Sequence, residues 1–406
     1  MQEWLKTWGA IFLVTGTCIG GGMLALPIVT AHCGFLWSLV IFVGCWLVML
    51  LSSLLVLEVN SALPENSSFS SMAQQTLGRY GNYLTWLMFL LLLYALLAAY
   101  DTAGSSLLSA IFTQLKLSLH LKWCTVLFTL VFGAVVFVGT RSTDYANRLL
   151  LMIKFCLFLL AVFLIAPHVR VRLLSGNFSH YLLVFAPIPV VLTAFGSHFI
   201  IPSIRTYIGP DPKRLRRIIV IGMLIPLIVY IIWQIVTFGV IPKVGAHSFA
   251  MIDNSHDSVA TLVLTLVHFL QGPSVQVAIN GFLDMAVTTS FLGIGLSLLD
   301  FFIDGLKLDH QRYSQRFLAA VCTFTVPLLF AIFFPDGFVL ALRFAAVFAA
   351  VLVLILPALM SLRLKGKKLT PFYRLGGGYA MRVFILIAGV FVIMVFFAIT
   401  FSWVPH

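Results

Sequence analysis

Two stretches of this chain are long and apolar enough to cross a bilayer, yet each is built to break inside it. Gly20, Gly21 and Gly22 are followed by Pro27 in the first, and Gly196 is followed by Pro202 in the second; from Gly21 and from Gly196 the spacing is Gly-x5-Pro. Inside a helix glycine costs about 1 kcal/mol and proline about 3 kcal/mol, and in hydrocarbon a freed amide or carbonyl finds no water to replace its lost bond. Loose backbone of this kind persists where it lines a cavity, and two breaks at matching positions of two halves point to a binding site near the bilayer midplane. Close packing of small residues between spans explains either break alone, but not their matched placement.

Membrane character follows from 61% hydrophobic and 9% charged residues, a mean hydropathy of +1.08 and repeated apolar runs of membrane length. Spans are expected near 8–29, 34–57, 82–112, 122–139, 148–167, 182–203, 216–239, 276–303, 317–334, 338–360 and 381–403, eleven in all. The first is too long for the apolar core of a signal peptide and has no separate cleavage site, so it is expected to stay in the membrane. The six cysteines show no CxxC or metal-ligand spacing and read as small apolar residues, so no metal site is expected. A net charge of +12 could suggest nucleic acid as a partner, but the placement of the charges argues against it. Most basic residues fall in loops on the N-terminal side, and few (Lys116, Lys122, Arg170, Arg172, Lys243) on the other. That bias puts the N-terminus in the cytoplasm and the C-terminus outside.

The spans divide as five, five and one, because the second glycine break falls in span six. Residues 1–175 would form the first repeat, 176–362 the second, and 363–406 a cytoplasmic loop with span eleven. An odd number of spans per repeat makes the second repeat inverted. The loops agree: the one after span two holds an amphipathic stretch at 70–77, and its counterpart after span seven, 241–275, holds 259–270, too short to span and read as an extracellular lid.

Several segments resemble a known family. GTCIGGGMLALP (16–27), LLYALLAAY (92–100), LTAFGSHFIIPSI (192–204), the basic-to-apolar run 213–234, DMAVTTSFLGIGLSLLDFF (284–302) and FFPDGFVLAL (333–342) are similar to the hydroxy and aromatic amino acid permeases, over essentially the whole chain. The resemblance implies an all-α, polytopic, leucine-transporter-type fold of 5+5 inverted repeats plus one span, in a bacterial inner membrane. It further implies import of an aromatic amino acid, tyrosine first, with protons and no bound cofactor.

An amino acid needs free amides for its carboxylate, free carbonyls for its ammonium and an apolar pocket. The amides at Gly21, Gly22 and Met23, where span one restarts, suit the carboxylate; the carbonyls of Ile19, Phe195 and Gly196 suit the ammonium. Gly20 and its two neighbours also clear side chains from the backbone, and Ser197 adjoins the second break. Phe195, Tyr94, Tyr100, Thr288 and Phe291 are candidates for the side-chain pocket. Among 37 Phe and 11 Tyr, spacing alone does not single out ligand-facing rings. His198 either serves a substrate hydroxyl or a proton, or is hydrogen-bonded within the bundle.

Charge inside the membrane is a functional hypothesis by default. Lys154 follows Gly139 by fifteen residues, a spacing that resembles proton-coupled relatives in which a span-five lysine replaces a sodium ion. Burial disfavours a charged amine, so such a lysine can take up and release a proton; the alternative is snorkelling to the cytoplasmic interface. Asp284 and Glu58 are further coupling candidates, with helix contacts and solvation as their alternatives. Asp101 and Arg343 depart from the family pattern and both fall in the outer half of the bilayer, so an ion pair acting as an outer gate is expected, with Asp336 a competing partner.

The leading expectation is a proton symporter with alternating access. A sodium-coupled carrier is the alternative within the class, since Thr288, Thr289 and Ser290 offer hydroxyls, as is a preference for tryptophan or phenylalanine. No nucleophile–base pair or acid cluster suggests an enzyme, and the polar intramembrane positions gather at two breaks rather than along a pore, which disfavours a channel.

Overall fold

The computed structural model describes residues 2–65, 67–117, 119–138, 140–175, 184–253, 255, 258–270, 273–306, 308 and 312–401. Among the described residues ten helices are long and apolar enough to cross a bilayer, and a bent pair, Glu3–Cys18 with Gly21–Cys33 at 52°, makes an eleventh span. Span 1 is Gln2–Cys18, then a 3-10 turn Gly21–Leu24 and the helix Ala25–Thr30. Span 2 is Phe35–Ser61, span 3 Arg79–Gln114, span 4 Leu121–Val138 and span 5 Thr140–Ile165. Span 6 is the helix Ile188–Thr193, an interruption, a 3-10 turn His198–Ile200 and the helix Ile201–Ile208. Span 7 is Pro212–Val240, span 8 Pro273–Gly305, span 9 Tyr313–Phe333 and span 11 Gly378–Thr400. Span 10 runs Phe338–Ala349, a π-helical segment Ala350–Ile355 and Leu356–Arg363.

The order of broken span, long span and short helix occurs twice: spans 1 and 2 lead to Phe69–Leu77, and spans 6 and 7 lead to Ser258–Leu270. The former is capped at Ser68, whose hydroxyl accepts from Ser71 N–H while the Ser71 hydroxyl accepts from Ser68 N–H. The prolines do not sit at the breaks. Pro202 is in the first turn of the restarted helix and Pro27 is the third residue of its own, where a fixed φ favours helix initiation. Both spans are interrupted at glycine and resume at proline. Span 1 also begins earlier than expected, at Gln2, and span 6 runs on to Ile208.

Span 1 lies on span 7, and span 2 lies on span 7 and on span 6; span 8 lies on spans 5 and 3, span 3 also on spans 4, 9 and 10, and span 10 joins the two sets by lying on spans 2 and 6 as well. Prolines inside the long spans fasten these contacts. Pro226 has no N–H for the carbonyl four residues back, and that carbonyl, Gly222, accepts from the Thr15 hydroxyl at 3.1 Å. At Gly222 a Cβ would lie 2.6 Å from Val14 Cβ, so spans 1 and 7 meet where no side chain fits. Pro357 likewise frees the carbonyl of Val353 in the π segment, and the Ser52 hydroxyl of span 2 donates to it. Span 11 closes on the same segment through Gly389, where a Cβ would fall 2.7 Å from Ile355.

Candidate functional site

The two interruptions face each other across a cavity of 740 Å³. Ile19, Gly20, Gly22, Gly196 and Ser197 line it from the breaks, Tyr100 from span 3, and Thr289, Ser290, Gly293 and Ser297 from span 8. It extends toward the N-terminal face between Phe12 and Leu13 of span 1 and Phe89, Leu93 and Phe199. Phe12 and Leu13 at its rim are 60% and 48% exposed. On the opposite side the short helix Ser258–Leu270 packs over the second half of span 1 and spans 3, 7 and 8. With the N-terminus inside, the cavity faces inward.

The backbone groups freed at the breaks are held by side chains from distant spans. Tyr230 of span 7, fully buried, directs its hydroxyl at the carbonyl of Cys18 at 2.6 Å and that of Ala194 at 2.8 Å. One hydroxyl proton is thereby shared between the ends of both interrupted helices, and the ring stacks edge-on against Phe195 at 5.2 Å. Lys154 of span 5, 4% exposed, donates from Nζ to the carbonyl of Ile19 at 2.7 Å and to Thr289 Oγ1 at 3.3 Å. Its amine points to the break and does not snorkel. The Gly21 amide donates to Ser290 Oγ at 2.9 Å. Beside it, a Cβ on Gly20 would lie 2.4 Å from Ser290 Oγ and one on Gly21 2.9 Å from the Tyr100 ring, whereas one on Gly22 would meet no atom within 4 Å. Glycine is thus required sterically at 20 and 21; at 22 its missing side chain leaves open cavity.

Two groups expected for the ligand's main chain are engaged here by the protein: the Ile19 carbonyl by Lys154 and the Gly21 amide by Ser290. Met23 and Phe195 are fully buried and do not line the cavity. His198 is also fully buried and pairs through Nε2 with Ser53 Oγ at 3.2 Å, the bundle-internal alternative. Tyr94 donates to the carbonyl of Cys322 in span 9 at 2.7 Å. Phe291 stacks between Phe128 and Phe324 at 5.2 and 5.8 Å, away from the cavity. Thr288 is buried beside it without reaching it, because the cavity-facing edge of span 8 carries residues 289, 290, 293 and 297 and each step in a helix turns about 100°.

The charged candidates also separate. Glu58 neither faces water nor nears the cavity; it is 3% exposed and accepts from Arg382 of span 11 at 2.6 Å. Asp101 is fully buried and accepts from Thr129 of span 4 at 2.7 Å. Among the described residues no ion pair joins it to Arg343, so the expected outer gate is not formed in this arrangement. Asp284 is partly buried in span 8 and does not line the cavity. Among the described residues no cluster of His, Cys, Asp and Glu could hold a metal ion.

Tyr230 escaped sequence reading, and Thr289 and Ser290 were expected only as hydroxyl donors to a sodium ion, not as lining of the substrate cavity. A lone hydroxyl in an apolar span needs a partner, and unpaired carbonyls at a predicted break are such partners, so Tyr230 had a legible signal.

Comparison with known proteins supplies the lineage. The chain matches the tryptophan/tyrosine permease family over residues 4–396. It is 35% identical over 404 residues to the tyrosine-specific transport system 2 of Haemophilus influenzae, covering 98% of each chain. It is 33% identical over 405 residues to a tryptophan-specific transport protein of Pseudomonas aeruginosa, covering 98% of this chain and 96% of that one. Among solved structures it resembles MhsT, determined in complex with L-phenylalanine, with a TM-score of 0.68 at 16% identity, covering 96% and 98% of the two chains. That likeness carries the fold, which is of the leucine-transporter type.

Proposed function

The chain belongs to the tryptophan/tyrosine permease family, a multi-pass inner-membrane transport protein of bacteria rather than an enzyme, and on that premise we propose that it imports an aromatic amino acid, tyrosine first, by symport with a proton. The observation that carries the proposal is Lys154, whose Nζ joins the break of span 1 at Ile19 to span 8 at Thr289. A carbonyl and a hydroxyl converging on one point make a cation site, and here the ammonium fills it from within the chain. Loss of its proton removes the positive charge at the point where spans 1, 5 and 8 meet and weakens the charge-assisted hold on the Ile19 carbonyl, so the strength of that tie depends on protonation. A substrate ammonium, the stronger donor, would displace the neutral amine from that carbonyl, and its carboxylate would take up the backbone around Gly20 and Gly22. Its ring would extend into the apolar part of the cavity beside Phe89 and Phe199, themselves edge-on at 5.0 Å.

Sodium coupling is the competing reading, since Thr289 and the Ile19 carbonyl are oxygen donors of the kind sodium takes. The ammonium at 2.7 Å from that carbonyl opposes it, because two cations cannot share the point. Equilibrium binding of tyrosine, tryptophan and phenylalanine to the purified protein tests the substrate assignment. Tyrosine is expected to bind tightest, and binding of none of the three would overturn the aromatic assignment.

A further inference from the structure

The cytoplasmic ends of spans 2, 6, 10 and 11 are tied into one polar knot apart from the cavity. Glu58 Oε1 accepts from Arg382 at 2.6 Å and from Ser361 at 3.1 Å, and its Oε2 accepts from the Leu375 amide at 2.9 Å. The Ser61 hydroxyl donates to the Tyr373 carbonyl and accepts from the Tyr373 amide, both at 3.3 Å. Arg205, at the end of span 6, donates to the carbonyls of Asn60 and Leu63 and lies 5.2 Å over the Phe372 ring. The loop between spans 10 and 11 is therefore held across the inner face of the bundle, close enough to the start of span 7 for Arg216 to act electrostatically on Tyr373.

This frame displays cations that no described acid pairs with. Arg363, Lys365, Lys367, Lys368, Arg374 and Arg216 are exposed, and among the described residues none makes an ion pair. Three of the nearby acids are already engaged, Glu58 with Arg382, Glu3 with Arg214, and Asp211 in capping span 7 through the amides of Lys213 and Arg214, and exposed Glu65 lies by Arg205, on which it acts electrostatically. The turn carrying the lysines is ordered, its amides at Lys367, Lys368 and Leu369 bonding back to Arg363, Lys365 and Leu364, each at 3.1 Å. Lys368 holds a φ of 55°, the left-handed conformation that glycine adopts freely and other residues adopt at a cost. Topogenic charge needs only to lie on the inner side. It needs neither a built turn nor a lysine where glycine would be cheaper.

We propose that this face binds the phosphate headgroup of an anionic inner-leaflet lipid of the phosphatidylglycerol class. The cations stand at the ends of spans 7 and 10 and in the loop before span 11, at headgroup level, beside exposed Phe372 and Tyr379. A juxtamembrane cluster of this size attracts anionic lipid at about 1 kcal/mol per basic residue, so losing three charges weakens binding on the order of a hundredfold.

The test is an equilibrium titration of the full chain, purified in a neutral detergent, with a short-chain fluorescent phosphatidylglycerol, and with the phosphatidylcholine analogue in parallel. Lys365→Gln/Lys367→Gln/Lys368→Gln is expected to lose about two orders of magnitude in phosphatidylglycerol affinity and nothing toward phosphatidylcholine. Lys116→Gln/Lys122→Gln/Lys243→Gln, with the same change of net charge on the opposite face, is expected to bind as the wild type does. Equal loss in both triple variants, or no loss in the first, overturns the site. Competition by inorganic phosphate as strong as by the lipid would make it a free-anion site and overturn the lipid assignment. Lys368→Gly separates binding from folding: it relieves the backbone cost, so the melting midpoint rises while phosphatidylglycerol affinity falls. A rise in midpoint with unchanged affinity removes Lys368 from the site.

Discussion

Tyr230→Phe isolates the tie between the two interrupted spans. The substitution keeps the ring, its 5.2 Å contact with Phe195 and its complete burial, and removes only the hydroxyl that reaches the Cys18 and Ala194 carbonyls at 2.6 and 2.8 Å. One proton is lost and at least one buried acceptor is left unpaired, at about 1–3 kcal/mol. Two outcomes can carry that cost. If the tie persists through the transport cycle, the whole amount is lost from stability and the melting midpoint in detergent falls by several degrees. If the tie belongs to the inward-facing arrangement alone, the conformational equilibrium shifts away from it by roughly 5- to 150-fold at 1.4 kcal/mol per tenfold, and uptake slows while the midpoint holds. Thermal unfolding and initial-rate tyrosine uptake in proteoliposomes, measured on the same preparation, distinguish these outcomes. A variant matching the wild type within twofold in both measurements would refute the role given to Tyr230.

Other substitutions probe the rest of the site. Gly22→Ala adds a methyl group into open cavity, with no atom within 4 Å, so folding is expected to be unaffected while tyrosine binding weakens by about tenfold or more, the worth of one misplaced methyl group at 1–3 kcal/mol; unchanged affinity in a binding titration would move the substrate away from this glycine. Gly20→Ala pushes a Cβ to 2.4 Å from Ser290 Oγ, so it is expected to lower the melting midpoint as well as binding, and a stable variant would contradict the geometry. Lys154→Gln removes the charge at the break; counterflow of labelled tyrosine is expected to continue while acceleration by a pH gradient disappears, and a retained gradient response would clear the lysine of coupling. Glu58→Gln leaves the largely buried Arg382 without its carboxylate and is expected to cost up to about 3–5 kcal/mol of stability, seen in thermal unfolding, with substrate affinity unchanged.

The spans and both interruptions were legible because hydrocarbon allows few exceptions: a membrane-length apolar run must be helical, and glycines within it must be compensated nearby. The site was legible only in part, for two reasons. In spans that are apolar all round, no polar face reveals the rotation, so Thr288 and Phe291, which flank Thr289 and Ser290, were expected in the side-chain pocket while those two were expected only as donors to an ion. The groups that satisfy the loose backbone also come from far along the chain: Tyr230 lies 212 positions from Cys18, and Ser290 lies 269 from Gly21. Lys154 stood out because a lone amine inside a span is rare, whereas Glu58 misled because its partner, Arg382, sits 324 positions away in span 11.

The central claim is that Lys154 couples aromatic amino acid movement to a proton. Its most direct test is tyrosine accumulation in sodium-free proteoliposomes under an imposed pH gradient, acid outside. Concentrative uptake that collapses when a protonophore is added is the predicted result. Uptake that ignores the pH gradient and appears only with a sodium gradient would contradict the claim.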